Sequence, residues 1–161
     1  MKLSDLLATK SALLQKYIKL SVPRIIGVEA KKHFREGFQN EGFTDAKLTP
    51  WQEVKRRSAE RLKKNKNGSI SKRQPRDQRR KILVDTGHMR DSIDYSITGM
   101  EIEVGTDDEK GKVQAHNEGT TTAGRNNNVT IPKRQFIGPS KALNDKIEKR
   151  LTTDVTNILK S

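Results

Sequence analysis

The sequence predicts an α+β fold, in which helices at both ends of the chain enclose a small antiparallel sheet and long mobile loops. Three observations support this prediction. Apolar residues recur at helical spacing near both termini, two alternating runs flank a Gly-containing turn near residue 99, and a strongly basic segment between them has no apolar period.

Composition sets the size of the core. The chain has 161 residues, of which 31% are hydrophobic, 4% aromatic and 33% charged, so a single domain (1–161) with a modest core is expected. Its parts are N-terminal helices at 1–41, a basic flexible loop at 63–80, a hairpin-containing core at 82–137 and a C-terminal helix at 140–160. The absence of cysteine excludes disulfides and thiolate metal sites.

The apolar runs are too short for a membrane span. None approaches the roughly 18 residues that a transmembrane helix needs, and the N-terminus shows an amphipathic pattern where a signal peptide would have a continuous apolar block. We therefore expect a soluble intracellular protein with no membrane partner.

Two amphipathic stripes predict the N-terminal helices. The first covers 3–20, and Pro23 breaks the pattern and occupies the first turn of a second helix. In that second helix Ile26, Ala30, Phe34 and Phe38 recur every four residues. Core packing is the expected role of both stripes, and contact with a partner helix is the alternative.

Segment 42–52 has no clear period and contains the only tryptophan. We expect Trp51 to anchor this loop on the core, with a role at an interface as the alternative. Pro50 precedes Trp51 and is suited to the first position of a helix, which predicts a helix opening there and continuing through 54–62.

Most of the positive charge lies in one segment. Between Lys55 and Lys81 there are thirteen basic residues and two acidic ones, a net charge of +11 within a total of +13. We expect 63–80 to be a mobile, solvated loop. The alternative is a functional arm that contacts phosphate or an acidic partner through Arg73, Arg76, Arg79 and Arg80. Without interleaved aromatic residues, any DNA binding would be non-specific and strongly salt-dependent.

The stretch 85–105 is the centre of the predicted fold. Asp85 or Thr86 caps a short helix, after which apolar residues alternate with polar ones on both sides of Thr98-Gly99. This pattern predicts a helical turn followed by a β-hairpin.

The last third of the chain alternates between loops and elements. We predict a helical turn or short strand at 113–119, a poorly ordered polar loop at 120–128 and a strand at 129–131 that Pro132 stops. Ser140 is placed to cap a final amphipathic helix carrying Leu143, Ile147 and Leu151.

No enzymatic motif is recognisable. His33, His88 and His116 lack metal-ligand spacing, and there is no Walker loop, GxGxxG or nucleophile elbow. His116 is expected to be a structural hydrogen-bonding residue, and the acidic cluster 107–109 a solvated turn. The sequence therefore predicts no catalytic residue, no cofactor and no metal site.

Four blocks together resemble one family. Residues 83–93 (LVDTGHMRDSI) resemble the L-x-x-T-G-x-L-R-x-S-I block of the phage virion-morphogenesis family, which comprises tail-completion and neck proteins of Mu-like and related phages. Val104-Gly105, 116–119 (HNEG) and 131–138 (IPKRQFIG) are similar to its later blocks. The order and spacing agree over roughly 20–160. Lys112-Val113 and Asn117 depart from the family pattern.

The resemblance implies a structural protein of virion assembly. Such a protein completes the tail or joins head to tail, as a homo-oligomeric ring that docks on the tail tube or on neck and connector proteins. It would be made in the bacterial host cytoplasm and retained in the tail or neck. The implied fold and assembly residues are Trp51, Thr86, Gly87, Arg90, Ser92, His116, Gly119, Pro132, Arg134 and Phe136.

These residues have physical roles that do not depend on the resemblance. Thr86-Gly87 permits a tight turn into a helix. Arg90 and Arg134 are suited to tie a carboxylate or carbonyl across the sheet, and Phe136 with Ile137 would cover its apolar face. The alternative function is a DNA-binding module that uses the basic 55–81 segment, and a nuclease is a third option.

Overall fold

The computed structural model describes residues 3–58, 62–72, 79–108 and 110–160. The helices are α1 (Leu3–Lys16), α2 (Val22–Asn40), α3 (His88–Asp91), α4 (Lys110–Glu118) and α5 (Lys141–Lys160). The strands are β1 (Gly42–Thr44), β2 (Leu48–Pro50), β3 (Asp94–Thr98), β4 (Glu101–Gly105), β5 (Thr120–Ala123) and β6 (Val129–Ile131). The predicted α+β class is confirmed. Within the described residues the strands form three separate antiparallel pairs, β1–β2, β3–β4 and β5–β6.

The two N-terminal helices are joined without a loop. A π-helical turn, Tyr17–Ser21, connects α1 to α2, and Pro23 follows it in the first turn of α2, where proline has no N–H to continue the hydrogen bonding of the preceding turn. The extra residue in a π-turn rotates the apolar stripe about the helix axis. The sequence break at Pro23 is therefore a change of phase within one long helical segment.

The core lies against the second half of α2. Phe34 and Phe38 pack there with Trp51 and Phe136, and Phe38 has ring centroids 5.5 Å from Trp51 and 5.3 Å from Phe136. All four phenylalanines of the chain and its tryptophan are buried. Five of the seven aromatic residues of the chain therefore lie in a single buried cluster.

The predicted hairpin is present as β3–β4 and packs across α2. Its register pairs Tyr95 with Val104 and Ile97 with Ile102, which places these apolar residues on one face. The ring of Tyr95 lies so close to Gly27 that a Cβ there would be 2.3 Å from Cδ2. Gly27 in the middle of α2 is therefore the position that lets the hairpin approach the helix.

Two expectations for 42–62 are wrong. The segment without period forms the β1–β2 hairpin, and Pro50 ends β2 and does not start a helix. From Gln52 to Ser58 the chain is irregular apart from a 3₁₀ turn, Lys55–Arg57, and residues 59–61 of the expected helix lie outside the described residues. The reason is tertiary: the backbone N–H of Trp51 donates to Glu41 O at 2.7 Å, which holds this segment against the end of α2.

The loop expected at 120–128 is also partly ordered. Residues 120–123 are β5, which pairs with β6 across a turn that contains Gly124. Residues 110–118 are a helix, one of the two structures left open for that stretch. In the basic loop, the described part 63–72 forms a tight turn closed by a bridge between Lys64 and Ile70.

The long C-terminal helix runs antiparallel to the N-terminal segment. Lys10 Nζ donates to Ile158 O, Tyr17 Oη to Asp154 Oδ2, and Glu29 is within 3.0 Å of both Lys146 and Arg150. Ser140 accepts from Leu143 N at 3.1 Å, which is the predicted cap. Over the described residues, no helix is both long and apolar enough to cross a bilayer.

Candidate functional site

A cleft rich in cationic side chains lies between the 3₁₀ turn, the start of α3 and the face of α4. Its volume is about 350 Å³. We call it the basic cleft, and the charged or titratable side chains that line it are Arg56, Arg80, Lys112, Arg134, His88, His116 and Asp85. Val54, Leu83, Val84 and Met89 form its apolar part. Its lining combines four formal positive charges with a single carboxylate and an apolar wall, and one of these cations, Lys112, is paired with Asp108 at 2.9 Å.

Arg56 and Arg80 are held by the segment that leads into the cleft. Arg56 Nη2 donates to Lys81 O at 2.8 Å and to Arg80 O at 3.3 Å, and Arg80 pairs with Asp85. Backbone carbonyls fix a guanidinium without neutralising it, so Arg56 keeps its charge uncompensated. Asp85 offsets that of Arg80 through a side chain that is itself 82% exposed.

Arg134 is the most buried cation of the cleft, at 7% exposure. Its Nε and Nη2 both donate to Gln52 O at 3.1 Å, and its backbone N–H donates to His116 O at 2.7 Å. Burial, and then the positive charge of Arg56, lower the pKa of Arg134 below its usual value. The expected carbonyl tie of Arg134 is therefore present, and it adds a desolvated charge to the cleft.

His116 lies beside these cations. Burial, followed by the charges of Arg134 and Lys112, lowers the pKa of His116 below 6.5, and Asp108 opposes the shift. The imidazole is therefore neutral at physiological pH. Its Nδ1 is buried and has no hydrogen-bond partner among the described residues, contrary to the expected hydrogen-bonding role.

Unsatisfied polar atoms are concentrated around this cleft. Five buried side-chain N or O atoms lack a hydrogen-bond partner within the described part of the chain, and three belong to Arg56, Arg80 and His116. The two arginine Nε atoms are obligate donors. Since buried donors cost free energy when unpaired, the arrangement favours an acceptor with negative charge.

The start of α3 forms one edge of the cleft. Gly87 has φ +94°, a left-handed conformation that favours glycine, and Thr86 Oγ1 accepts from His88 N at 3.2 Å. The expected tight turn at Thr86-Gly87 is therefore present. Ser92 and Thr106 hydroxyls are 2.5 Å apart, which ties the end of α3 to the end of β4.

Arg90 does not reach across the sheet as expected. Its Nε and Nη2 donate to the carboxylate of the neighbouring Asp91 at 2.6 and 2.8 Å. The bond across the fold is made instead by Arg35, whose Nη2 donates to Ile93 O at 3.1 Å. Arg90 and Asp91 therefore neutralise each other locally, and neither lines the cleft.

The other predicted residues do not line the cleft. Trp51 is buried, and its Nε1 donates to Gln135 O at 2.7 Å. Phe136 is in the core rather than on a sheet face, because its contact is with Phe38 of α2. Gly119, at φ +80°, allows Lys133 N to approach where a Cβ would be 2.8 Å away, and half-buried Pro132 follows β6.

Sequence reasoning missed Arg56, Lys112 and Asn117. Asn117 Oδ1 accepts from Phe136 N at 2.9 Å and from Ile137 N at 3.1 Å, so it holds the segment before α5. Its position in the HNEG block was the available signal. Arg56 and Lys112 carry no local signal, since each is one lysine or arginine among 33.

The four arginines predicted to contact phosphate do not lie together. Arg73 and Arg76 lie outside the described residues, Arg79 is exposed, and Arg80 lines the basic cleft. Among the described residues, no group of three or more His, Asp and Glu side chains is placed to hold a metal ion.

The comparisons with known proteins identify one family. A family model described as the phage virion morphogenesis family matches residues 8–156 of the 161. No curated protein and no solved structure matches the chain. The match includes α2, the β3–β4 hairpin, the basic cleft and most of α5. The chain therefore belongs to the phage virion morphogenesis family.

Proposed function

We propose that this protein completes the phage tail or joins it to the head, as a structural subunit that self-associates and docks on tail or connector proteins. Its family supports a role in phage assembly and an association with the virion. We propose in addition the assembly step at which the protein acts, its association into a ring and its location in the tail or neck.

One observation carries the proposal: the residues of the family-like blocks bind the protein's own backbone. Trp51 donates to Gln135 O, Arg134 to Gln52 O, and Asn117 accepts from the two residues that follow Gln135. Blocks used in this way define a scaffold. The work of such a scaffold lies in the contacts that its outer surfaces make with other virion proteins.

The exposed apolar side chains of the N-terminal segment support self-association. None of the 14 residues of α1 is buried, and Leu3, Leu7 and Leu20 are 72%, 61% and 54% exposed. Large apolar side chains in a row are unfavourable in water. A subunit that remains in a particle would cover them.

Binding of DNA through the basic segment is the weaker alternative. Arg57 forms a bidentate pair with Glu41 at 2.6 and 2.9 Å, and Arg56 is bonded to carbonyls. Arg57 is thereby neutralised, and Arg56 lines the basic cleft, whose volume is only about 350 Å³. Affinity for duplex DNA should therefore be weak at physiological salt, whereas a phosphate-driven binder would hold DNA at low salt and lose it steeply as salt rises.

An in-frame deletion of the gene in the phage that encodes it tests the function. Electron micrographs of the lysate should show filled heads and separate tails, and the wild-type gene in trans should restore joined particles. A copy of the gene with a premature stop codon is the negative control for that complementation. Joined, infectious particles from the deletion lysate would contradict the proposal.

A further inference from the structure

We propose that the basic cleft of one copy binds the tip of the β3–β4 hairpin of a second copy, with the carboxylate of Glu101 entering among the arginines. The inference rests on the self-association in the proposed function and specifies its contact. It joins two features that the fold leaves unpaired.

The cleft offers donors and positive charge without enough acceptors of its own. Arg56 is bonded only to carbonyls, Arg134 is buried with its charge, and the Nε atoms of Arg56 and Arg80 have no partner among the described residues. A carboxylate satisfies these donors and replaces the lost hydration of the guanidinium groups. The cleft is therefore complementary to a single anionic group.

The hairpin provides carboxylates that lack partners. On the face opposite Tyr95 and Ile97, Ser96 pairs with Glu103 and Thr98 with Glu101, and both glutamates are exposed. Neither carboxylate forms a hydrogen bond or ion pair with any described residue. The third acid on this face, Asp94, is paired with Lys31 at 3.0 Å. All the charged residues of this face are acidic, which is unusual in a chain with net charge +13. The charge of the face is therefore opposite to that of the cleft.

The apolar parts of the two surfaces also match. Met100, which precedes Glu101 at the tip, is 54% exposed. The cleft wall of Val54, Leu83 and Met89 offers a surface for a flexible thioether side chain of this kind. A volume of about 350 Å³ admits two side chains, whereas a DNA duplex is far too wide to bring a phosphate to Arg134.

The hairpin cannot fill the cleft of its own chain. Its strands have five residues each, so the tip lies roughly 16 Å from the base of the hairpin. The cleft is at that base, because its edge at Gly87-His88 begins the α3 helix that leads into β3. The contact therefore runs from one copy to the next, and a heterologous contact of this kind closes into a ring or continues as a filament.

A charge swap tests the contact directly. The cleft variant is Arg80→Glu, and the tip variant is Glu101→Lys. Lys149→Glu and Glu148→Lys, both on the exposed side of α5, make the same changes of net charge elsewhere. Association of the full chain is measured by analytical ultracentrifugation at about 150 mM salt, and circular dichroism verifies that each variant is folded.

The wild-type chain and both control variants should associate. R80E and E101K alone should each bind their own copies about 10- to 100-fold more weakly, since like charges then meet at the contact. An equimolar mixture of the two variants should assemble again. The cleft of R80E can bind the lysine tip of E101K, and the unchanged cleft of E101K can bind the unchanged tip of R80E. If R80E is unfolded, Lys112→Glu is the substitute cleft variant.

Three results would overturn the inference: a wild-type chain that stays monomeric at millimolar concentration, R80E or E101K variants that associate like the wild type, or a mixture that does not assemble. A loss of duplex DNA binding by R80E with unchanged association would also overturn it, and would assign the cleft to phosphate.

The gene deletion separates the two proposals. Unjoined heads and tails, combined with swap variants that associate normally, would leave the function standing and remove only this contact.

Discussion

The two halves of the N-terminal helical segment carry similar apolar stripes but have opposite fates. In α2, seven of 19 residues are buried, whereas in α1 none of 14 is. The stripe of α2 ends in aromatic residues that meet Trp51 and Phe136, and the stripe of α1 has no such partners. Periodicity thus marks a face as apolar, but only a facing surface decides whether it is buried.

The two helices differ in how strongly they are attached to the rest of the fold. The N-terminal segment, made of α1 and the π-helical turn Tyr17–Ser21, is held to α5 by polar contacts, such as Tyr17 to Asp154 at 2.8 Å and Lys10 to Ile158 O at 3.0 Å. Such bonds contribute about 1 kcal/mol each, much less than an aromatic core residue. We infer that α2 holds the fold and that α1 can move without unfolding it.

The largest expected effect is in the α2 core. Phe38→Ala removes a side chain that is 1% exposed and contacts two aromatic rings, so it should destabilise the protein by about 3–5 kcal/mol. Urea unfolding followed by Trp51 fluorescence measures this loss. A cost below about 1 kcal/mol would show that the core is not concentrated on α2.

The end of α2 provides an electrostatic version of the same test. Glu41 accepts from Arg57 and from Ile82 N, and these bonds, with Arg57 first, lower the pKa of Glu41 below its usual 4.5. Glu41→Gln should cost roughly 1.5–3 kcal/mol at pH 7.

The sign of the pH dependence follows from that lowered pKa. Because ionised Glu41 stabilises the fold, its contribution is complete above about pH 4.5 and is lost as pH falls through the lower folded value. Urea unfolding of both proteins from pH 7 to pH 3 should therefore show the difference between wild type and E41Q shrinking with acidification. A constant difference would contradict this account.

The hairpin face of α2 should be intolerant of a single methyl group. Gly27→Ala places a Cβ within 2.3–2.6 Å of the Tyr95 ring, so the hairpin must shift, at an expected cost of about 1–3 kcal/mol. The double variant G27A/Y95A should show a favourable interaction energy in a double-mutant cycle. Additive effects would mean that Tyr95 does not pack over Gly27.

The hydrogen bond from Tyr17 to α5 predicts a small effect on stability. Burial, and then the bond to Asp154, raise the pKa of Tyr17 to about 12. Tyr17→Phe should cost roughly 0.5–1.5 kcal/mol and accelerate proteolysis within α1. Because the folded pKa is raised, the contribution is complete below the unfolded value near 10 and is lost as pH rises through 12. Absorbance at 295 nm should lose its late-titrating component in the Y17F variant.

The smallest effect is expected at the exposed stripe of α1. Leu7→Ala, at a residue that is 61% exposed, should change the free energy of unfolding by less than about 0.5 kcal/mol. A larger loss in urea unfolding would make α1 part of the core and remove the contrast with α2.

The local elements were within reach of sequence reasoning. The α2 stripe, the β3–β4 hairpin and the Ser140 cap each depend on residues a few positions apart, which fix period, turn and capping bonds. The β1–β2 hairpin was not predicted, because its strands have three residues each and depend on Trp51 N–H donating to Glu41 O. Arg90 was misassigned because the adjacent Asp91 binds its guanidinium, and because Arg35 of α2, far away in sequence, makes the bond across the fold.

By itself, the sequence determined the α+β class, the long terminal helices, the central hairpin and the blocks that resemble one phage family. Only the tertiary structure decided which apolar stripe is buried and which cations meet. Arg56, Arg80, Lys112 and Arg134 lie up to 78 positions apart along the chain and converge through bonds to Lys81 and Gln52 carbonyls. Periodicity is a local property, whereas burial and convergent charge require a second surface that folding alone brings into contact.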